Sequence, residues 1–285
     1  MPVRSGVKAG HAASLIFTLY GDFGHLCDGQ LPVASLIALM AESGVAEQAV
    51  RQALSRMTAQ GWLERIRSNA RALYRLTEKG AHRIEQIAPR IYEPAVEWDG
   101  RWRIVVYGVA ERKRQLRDRL RKDLTLLGLA PLQPSIWISP RDVRAEILEL
   151  VKQPQLIRAV QLFVGDYEGP SSDRELLERC WDVGAIATDY REFIASYEPR
   201  FEKERAKHTL TERDAFVERL QLVQDFRRFL YIDPGLPSAL LPAHWPGSVA
   251  SGLFRQYYTL VAPKAERFFI LRLREGASGS RPRHR

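Results

Sequence analysis

Apolar positions in the first 80 residues fall into three helical blocks followed by one alternating block. Residues 13–20 form a helix-competent run that is expected to break at Gly21, Asp22, Phe23 and Gly24, where two glycines follow it. Residues 33–41 (VASLIALMA) are helical again, Glu42, Ser43 and Gly44 supply a short turn, and a third helix is predicted over 46–60. Two helices across a tight glycine turn suggest a helix-turn-helix. After Gly61, the stretches WLERIR and ALYRL flank the polar tip Ser68, Asn69, Ala70 and Arg71 and predict a hairpin, with Thr77 heading a further helix. Three helices followed by a basic hairpin form a stronger pattern than any one of these elements, and they predict a winged helix-turn-helix over residues 1–93.

At about 100° per residue, Ala46, Val50, Ala53, Leu54 and Met57 share one face of the third helix, while Gln48, Arg51, Gln52, Ser55 and Arg56 occupy the rest. Arg can pair with guanine edges or phosphates and Gln with adenine, so the second set suits a helix lying in the major groove. At the hairpin, Arg65, Arg67 and Arg71 bracket the tip as candidates for phosphate or minor-groove contact. Trp62, Leu63, Tyr74 and Leu76 are expected to pack the hairpin against the helices.

Periodicity lapses between residues 93 and 100, where a Pro and an Asp-Gly pair mark a domain boundary. Beyond it, WRIVVY at 102–107 predicts a buried strand, and 111–127 a helix with Leu116, Leu120, Leu124 and Leu127 on one face and a dense set of basic residues on the other. Strands near 130–132 and 136–138, a helix over 141–151 and a strand over 159–164 complete a β-α-β-β-α-β order, which is ferredoxin-like. Residues 172–275 are mainly helical, most clearly at 180–197 and 212–231, with a Pro-rich interruption at 233–247. Residues 276–285 are expected to form a flexible basic tail. The fold class is thus α+β and multi-domain: 1–93, 94–171, 172–275 and the tail.

Composition adds direction. The 43 Lys and Arg against 34 Asp and Glu leave a formal charge of +9 and favour a polyanionic partner such as nucleic acid. Cys27 and Cys180 stand far apart without a CxxC or Cys/His cluster, which fits a reduced, cytoplasmic protein and gives no reason to expect a structural metal. No stretch approaches the roughly 18 uninterrupted apolar residues of a membrane span.

Several ordered blocks resemble the phenylacetic-acid-catabolism repressor family, usually called PaaX. They are GVAEQAVRQALSRMTAQGWL at 44–63, YRLTEKG at 74–80, RWRIVVYGV at 101–109, LLGLAPLQPSIWISP at 126–140 and FRRFLYIDPGLPSALLPAHWPGSVA at 226–250. The resemblance covers nearly the whole chain. It implies a dimeric repressor of aromatic catabolic genes that binds double-stranded operator DNA and is released by phenylacetyl-coenzyme A. It also implies a central ferredoxin-like domain related to small CRISPR endoribonucleases and a helical C-terminal domain. Two departures stand out. Ala46 lies where the family often has a Ser or Thr able to cap the recognition helix, which leaves Ser43 as the candidate cap. The hairpin tip reads Ser68-Asn69-Ala70-Arg71 where the family commonly has a glycine.

A coenzyme A thioester needs cations beside aromatic and aliphatic walls. Arg227 and Arg228, flanked by Phe226 and Phe229, offer that mixture, as do Trp245 and Arg255. The basic helix over 112–122 could follow DNA phosphates, bind ligand phosphates or form inter-subunit ion pairs. Two enzymatic alternatives are weaker. A metal-dependent nuclease in the central domain would want a carboxylate at the end of its first strand, whereas Glu111 is more simply a helix N-terminal residue. An acyl-coenzyme A-processing enzyme finds no GxSxG element, and Cys180, His208 and His244 lack catalytic or metal-ligand spacing. No catalytic residue, metal ligand or cofactor is expected.

Overall fold

The first apolar run forms α1 (Ala9–Phe23), which continues through Gly21 instead of stopping there. A glycine inside a helix costs about 1 kcal/mol. Continuing the helix places Phe23 and Asp22 in the interior, and Gly21 itself faces Ile84, where an added Cβ would meet only ordinary contact at 3.7 Å. In this computed structural model, residues 9–68, 71–92 and 97–278 are described.

A 3₁₀ turn (Gly24–Leu26) leads into β1 (Gln30–Pro32), a strand the sequence pattern did not reveal. It lies at the edge of an antiparallel sheet ordered β1-β3-β2, where the missing N–H of Pro32 is tolerated. Then come α2 (Val33–Glu42), α3 (Glu47–Ala59), β2 (Leu63–Ser68), β3 (Arg71–Leu76) and α4 (Glu78–Tyr92). Gly44, with φ +76°, makes the turn between α2 and α3. Thr77 starts α4: its hydroxyl donates to the Gly61 carbonyl at 2.6 Å and accepts from the Gly80 amide at 3.1 Å.

The next segment contains β4 (Trp102–Tyr107), a 3₁₀ turn (Glu111–Lys113), α5 (Arg114–Leu126), β5 (Ala130–Gln133), β6 (Ile136–Ser139), α6 (Arg144–Leu150) and β7 (Val160–Gly165). Its four strands are ordered β5-β6-β4-β7 with every neighbour antiparallel. Val105, Tyr107 and Trp137 from the sheet pack with Leu120 and Leu124 of α5 and Ile147 of α6. The Asp-Gly pair at the start of the segment is structured: Asp99 accepts two 2.7 Å bonds from the buried Arg103 guanidinium, and Gly100 has φ +77°. That pairing holds the Asp99 carboxyl below the usual carboxylate range.

The remaining elements are α7 (Asp173–Cys180), α8 (Val183–Lys207), α9 (Glu212–Phe226), α10 (Phe229–Ile232), a 3₁₀ turn (Ser238–Leu240) and α11 (Pro246–Ser278). The helix expected over 180–197 therefore begins three residues late. Cys180 closes α7, Trp181 is extended, and Asp182 accepts from the Ala185 amide at 2.8 Å to start α8. The segment expected over 212–231 is divided at Arg227 and Arg228. The tail is also corrected at its start: α11 runs through Ser278, and Gly276 lies where a Cβ would come within 2.0 Å of Ser35 Oγ. Residues 279–285 lie outside those described.

By compactness the chain divides in two, where the sequence suggests three consecutive domains. One unit combines α1–α4 with Phe193–Arg227 and the chain from Ser251 onward. The other combines the β4–β7 segment through Glu192 with Arg228–Ala250.

Candidate nucleic-acid interface and ligand cavity

Val50, Ala53, Leu54 and Met57 bury one side of α3 against α1 and α2. The opposite side is the predicted set: Gln48, Arg51, Gln52, Ser55 and Arg56 are all exposed. Gln48, Arg51, Gln52 and Ser55 follow i, i+3, i+4, i+7 spacing, so they form one stripe along the helix. Arg51 is aimed by Glu47, whose Oε1 accepts from Arg51 Nη2 at 2.7 Å in a solvent-exposed i, i+4 pair.

The N-terminus of α3 corrects the expectation for Ser43. Ala46 occupies the cap position without a side-chain bond, and Ser43 Oγ is buried with no hydrogen-bond partner, so it does not cap the first-turn amides.

On the hairpin, Arg65 and Arg67 are exposed and two residues apart on β2, opposite Tyr74 and Ala72 of β3. Arg75 is paired with Glu64 at 2.7 Å. The Arg71 side chain, Asn69 and Ala70 lie outside the described residues. Two of the four expected packing residues, Trp62 and Leu63, hold the base of the hairpin. Leu63 is buried, and Trp62 meets Phe17 edge-on at 6.2 Å with Lys79 Nζ 4.1 Å from its ring.

What sequence reasoning missed is the set of late helices that clamps this frame within the same compact unit. Asp22 of α1 accepts from Arg219 of α9 at 2.9 and 3.1 Å, from Tyr258 of α11 at 2.7 Å and from Tyr92 of α4 at 3.2 Å. Arg219 also donates to Glu266 at 2.8 Å. Burial alone would lower the Arg219 pKa, but the charge and hydrogen bonds of Asp22 outweigh it and hold the guanidinium above its ordinary value. Burial and the neighbouring Asp22 push the Tyr92 and Tyr258 hydroxyls well up. Glu42, at the end of α2, accepts from Arg213 at 2.6 Å and Arg272 at 2.7 Å, and Ser35 donates to the Arg272 carbonyl at 3.3 Å.

The four residues singled out for an effector have different surroundings. Arg227 is buried in the first unit, bonded to Thr18 and 5.4 Å from the Phe17 ring, so it braces α1. Arg255 is exposed in the same unit. In the second unit, Arg228 donates to the Asp189 carbonyl at 3.0 Å, and Trp245 is buried. Trp245 lines a cavity of about 660 Å³ formed by the end of α7, the first turns of α8 and residues 242–246. Among the described residues, no group of three or more His, Cys, Asp and Glu side chains could hold a metal ion, and no helix is long and apolar enough to cross a membrane.

Known proteins match this chain along its length. A family model for a PaaX-like protein covers residues 11–80, one for the PaaX protein central Cas2-like domain covers 95–177, and one for the PaaX-like protein C-terminal domain covers 181–270. The Transcriptional repressor PaaX of Escherichia coli (strain K12) is 34% identical over 263 residues, spanning 90% of this chain and 82% of that protein. The chain belongs to the PaaX family. An uncharacterised protein of Mycobacterium tuberculosis of known structure shares the fold, with a TM-score of 0.59 at 22% identity over 90% of this chain and 97% of its own. In the numbering of this PaaX-family chain, the first matched segment contains α1–α3, the hairpin and the start of α4, which are the elements that carry and hold the exposed basic stripe.

Proposed function

We propose that this chain is a DNA-binding transcriptional repressor of phenylacetate-type catabolic genes, acting as a homodimer and released from its operator by an aromatic acyl-coenzyme A such as phenylacetyl-coenzyme A. The observation that carries the reading is the set Gln48, Arg51, Gln52, Ser55 and Arg56, exposed on a helix whose other side is buried. Polar side chains of this kind can read base edges from the major groove. Arg65 and Arg67 add cations suited to phosphates beside the site.

The element order α1–α3, β2, β3, with β1 at the sheet edge, supports a winged helix-turn-helix. In the second unit, the order β-α-β-β-α-β with the first and third strands central supports the ferredoxin-like reading. Two α3 helices of a dimer would enter successive major grooves about 34 Å apart. The clamp of Arg219, Arg213 and Arg272 on α1 and α2 gives the late helices a mechanical hold on the reading head, so a ligand that shifts those helices changes the presentation of α3.

An electrophoretic mobility shift on the promoter adjoining the gene tests this reading. Retardation by the apo protein and its reversal by phenylacetyl-coenzyme A, with the thioester recovered unchanged, is expected. Failure to bind that promoter, or binding indifferent to every aromatic thioester, would sink it.

A further inference from the structure

The cavity beside Trp245 is built for a ligand that the DNA-reading surface does not explain. Its volume of about 660 Å³ lies within the range typical of small-molecule sites, roughly 300–1,000 Å³. Arg179 at the end of α7 and Arg191 on α8 both line it, and among the described residues neither carries an ion pair or a hydrogen bond. Arg228 of the same unit is different, engaged by Asp189 and Glu192. Of the two carboxylates at the cavity, Asp182 is committed to the Ala185 amide, and the positive end of α8 offsets its charge. Glu178 is then the one acidic side chain that opposes the two arginines.

The walls are aromatic and braced. Trp181 is stacked against Trp102, with ring centroids 6.4 Å apart, and Trp102 donates to Asp173 at 2.6 Å. Trp245 meets Tyr190 edge-on at 5.9 Å, and Tyr190 is fixed by stacking on Phe229 at 3.9 Å and by a 2.6 Å bond to Asp233. Gly247 is required behind that wall, because a Cβ there would lie 2.3 Å from the Trp245 indole nitrogen. Between the walls His244 sits at φ +63°, a left-handed conformation uncommon for a side-chain-bearing residue, which persists where surrounding structure imposes it. Unpaired guanidinium groups facing rigid aromatic surfaces recognise anionic groups by charge-assisted hydrogen bonds and planar groups by stacking.

We propose that this cavity binds an aromatic anion, a ligand joining phosphate or carboxylate charge to a planar apolar group, and that it is where the effector acts. The second half rests on the repressor reading above; the first half does not. Either a coenzyme A thioester or a free aromatic acid presents the required chemistry.

Isothermal titration of the full-length protein with phenylacetyl-coenzyme A, coenzyme A and phenylacetate in separate arms identifies the source. Both arginines are exposed, so the double variant R179Q/R191Q is expected to melt like the wild type while binding the preferred ligand about 10-fold or more weakly. E178Q, which removes the opposing charge, is expected to bind it more tightly. Equal affinity in R179Q/R191Q and wild type, or no binding of any of the three to wild type, would overturn the cavity assignment. The two halves separate cleanly in a gel shift. Should the thioester release wild type and R179Q/R191Q from the promoter at the same concentration, the repressor reading stands and the cavity does not. Should wild type ignore the promoter while R179Q/R191Q still loses ligand affinity, the cavity stands and the repressor reading does not.

Discussion

Arg51 of α3 and Arg219 of α9 look alike in sequence and differ in almost every physical respect. Arg51 is 59% exposed, and its partner Glu47 is equally solvated, so their pair adds little to the fold and leaves a cation where a polyanion can reach it. Arg219 is 1% exposed against an Asp22 that is 0% exposed, and five polar groups converge there. A charge in water is available to a partner, whereas a charge in the interior has been taken from water and must be satisfied by the fold. The difference separates cations that a polyanion could reach from cations that hold the fold together.

Substitution can break that comparison, and the largest expected effect is at the clamp. Arg219→Ala leaves Asp22 buried without its cation and is expected to cost about 3–5 kcal/mol, read as a lower denaturation midpoint. The double variant D22N/R219M is expected to lose less than the sum of its single variants, since it removes both charges together. A change below about 0.5 kcal/mol for R219A, the range of ordinary surface sites, would contradict the clamp.

On the α3 stripe the balance reverses. Arg51→Ala and Gln52→Ala are each expected to leave stability within about 0.5 kcal/mol of wild type, yet to weaken promoter binding by about 1–3 kcal/mol where they meet base edges. The hairpin is expected to act differently again. Arg65→Ala and Arg67→Ala should weaken binding to promoter and to unrelated DNA alike, each flattening the dependence of log affinity on log salt by about 1. A loss confined to the promoter sequence would move those residues from phosphate contact to base reading.

The smallest effect sharpens the buried side. Burial alone would raise the Glu204 pKa, but the Leu210 amide at 2.9 Å and Lys264 at 3.1 Å hold it below the usual carboxylate range. A depressed folded-state value means its contribution is present above the unfolded-state pKa and fades as pH falls through the folded one. Glu204→Gln is therefore expected to lose stability at neutral pH and to show a shallower decline on acidification than wild type.

Local patterning made the N-terminal helices, the hairpin and the four long-range strands of the second sheet legible, because periods of 3.6 and 2 reflect burial on one face. It made the α3 stripe legible for the same reason: Val50, Ala53, Leu54 and Met57 declare the buried side, and the rest follows. β1 escaped because three residues ending in Pro32 carry no period, and Gly21 misled because the helix is continued by tertiary pairing of Asp22. The return of α9 and α11 to α1 and α2 left no local mark, since Arg219, Arg213 and Arg272 occupy helices that read as ordinary charged ones. Arg227 and Arg228 show the limit most sharply. Adjacent in sequence, one is buried against Thr18 and Phe17 and the other is exposed beside Asp189. Of the cavity, only Trp245 was legible, because Arg179, Trp181 and Arg191 sit in a stretch that reads as ordinary helix and the break at Trp181 carries no local signal.

The central claim is that the exposed side of α3 reads sequence. Its most direct measurement is the ratio of affinities for the adjoining promoter and for scrambled DNA of equal length, taken at one salt concentration for wild type, R51A, Q52A and R65A. The account predicts that R51A and Q52A reduce the ratio while R65A lowers both affinities and preserves it. A ratio unchanged in R51A and Q52A, with promoter affinity intact, would contradict it.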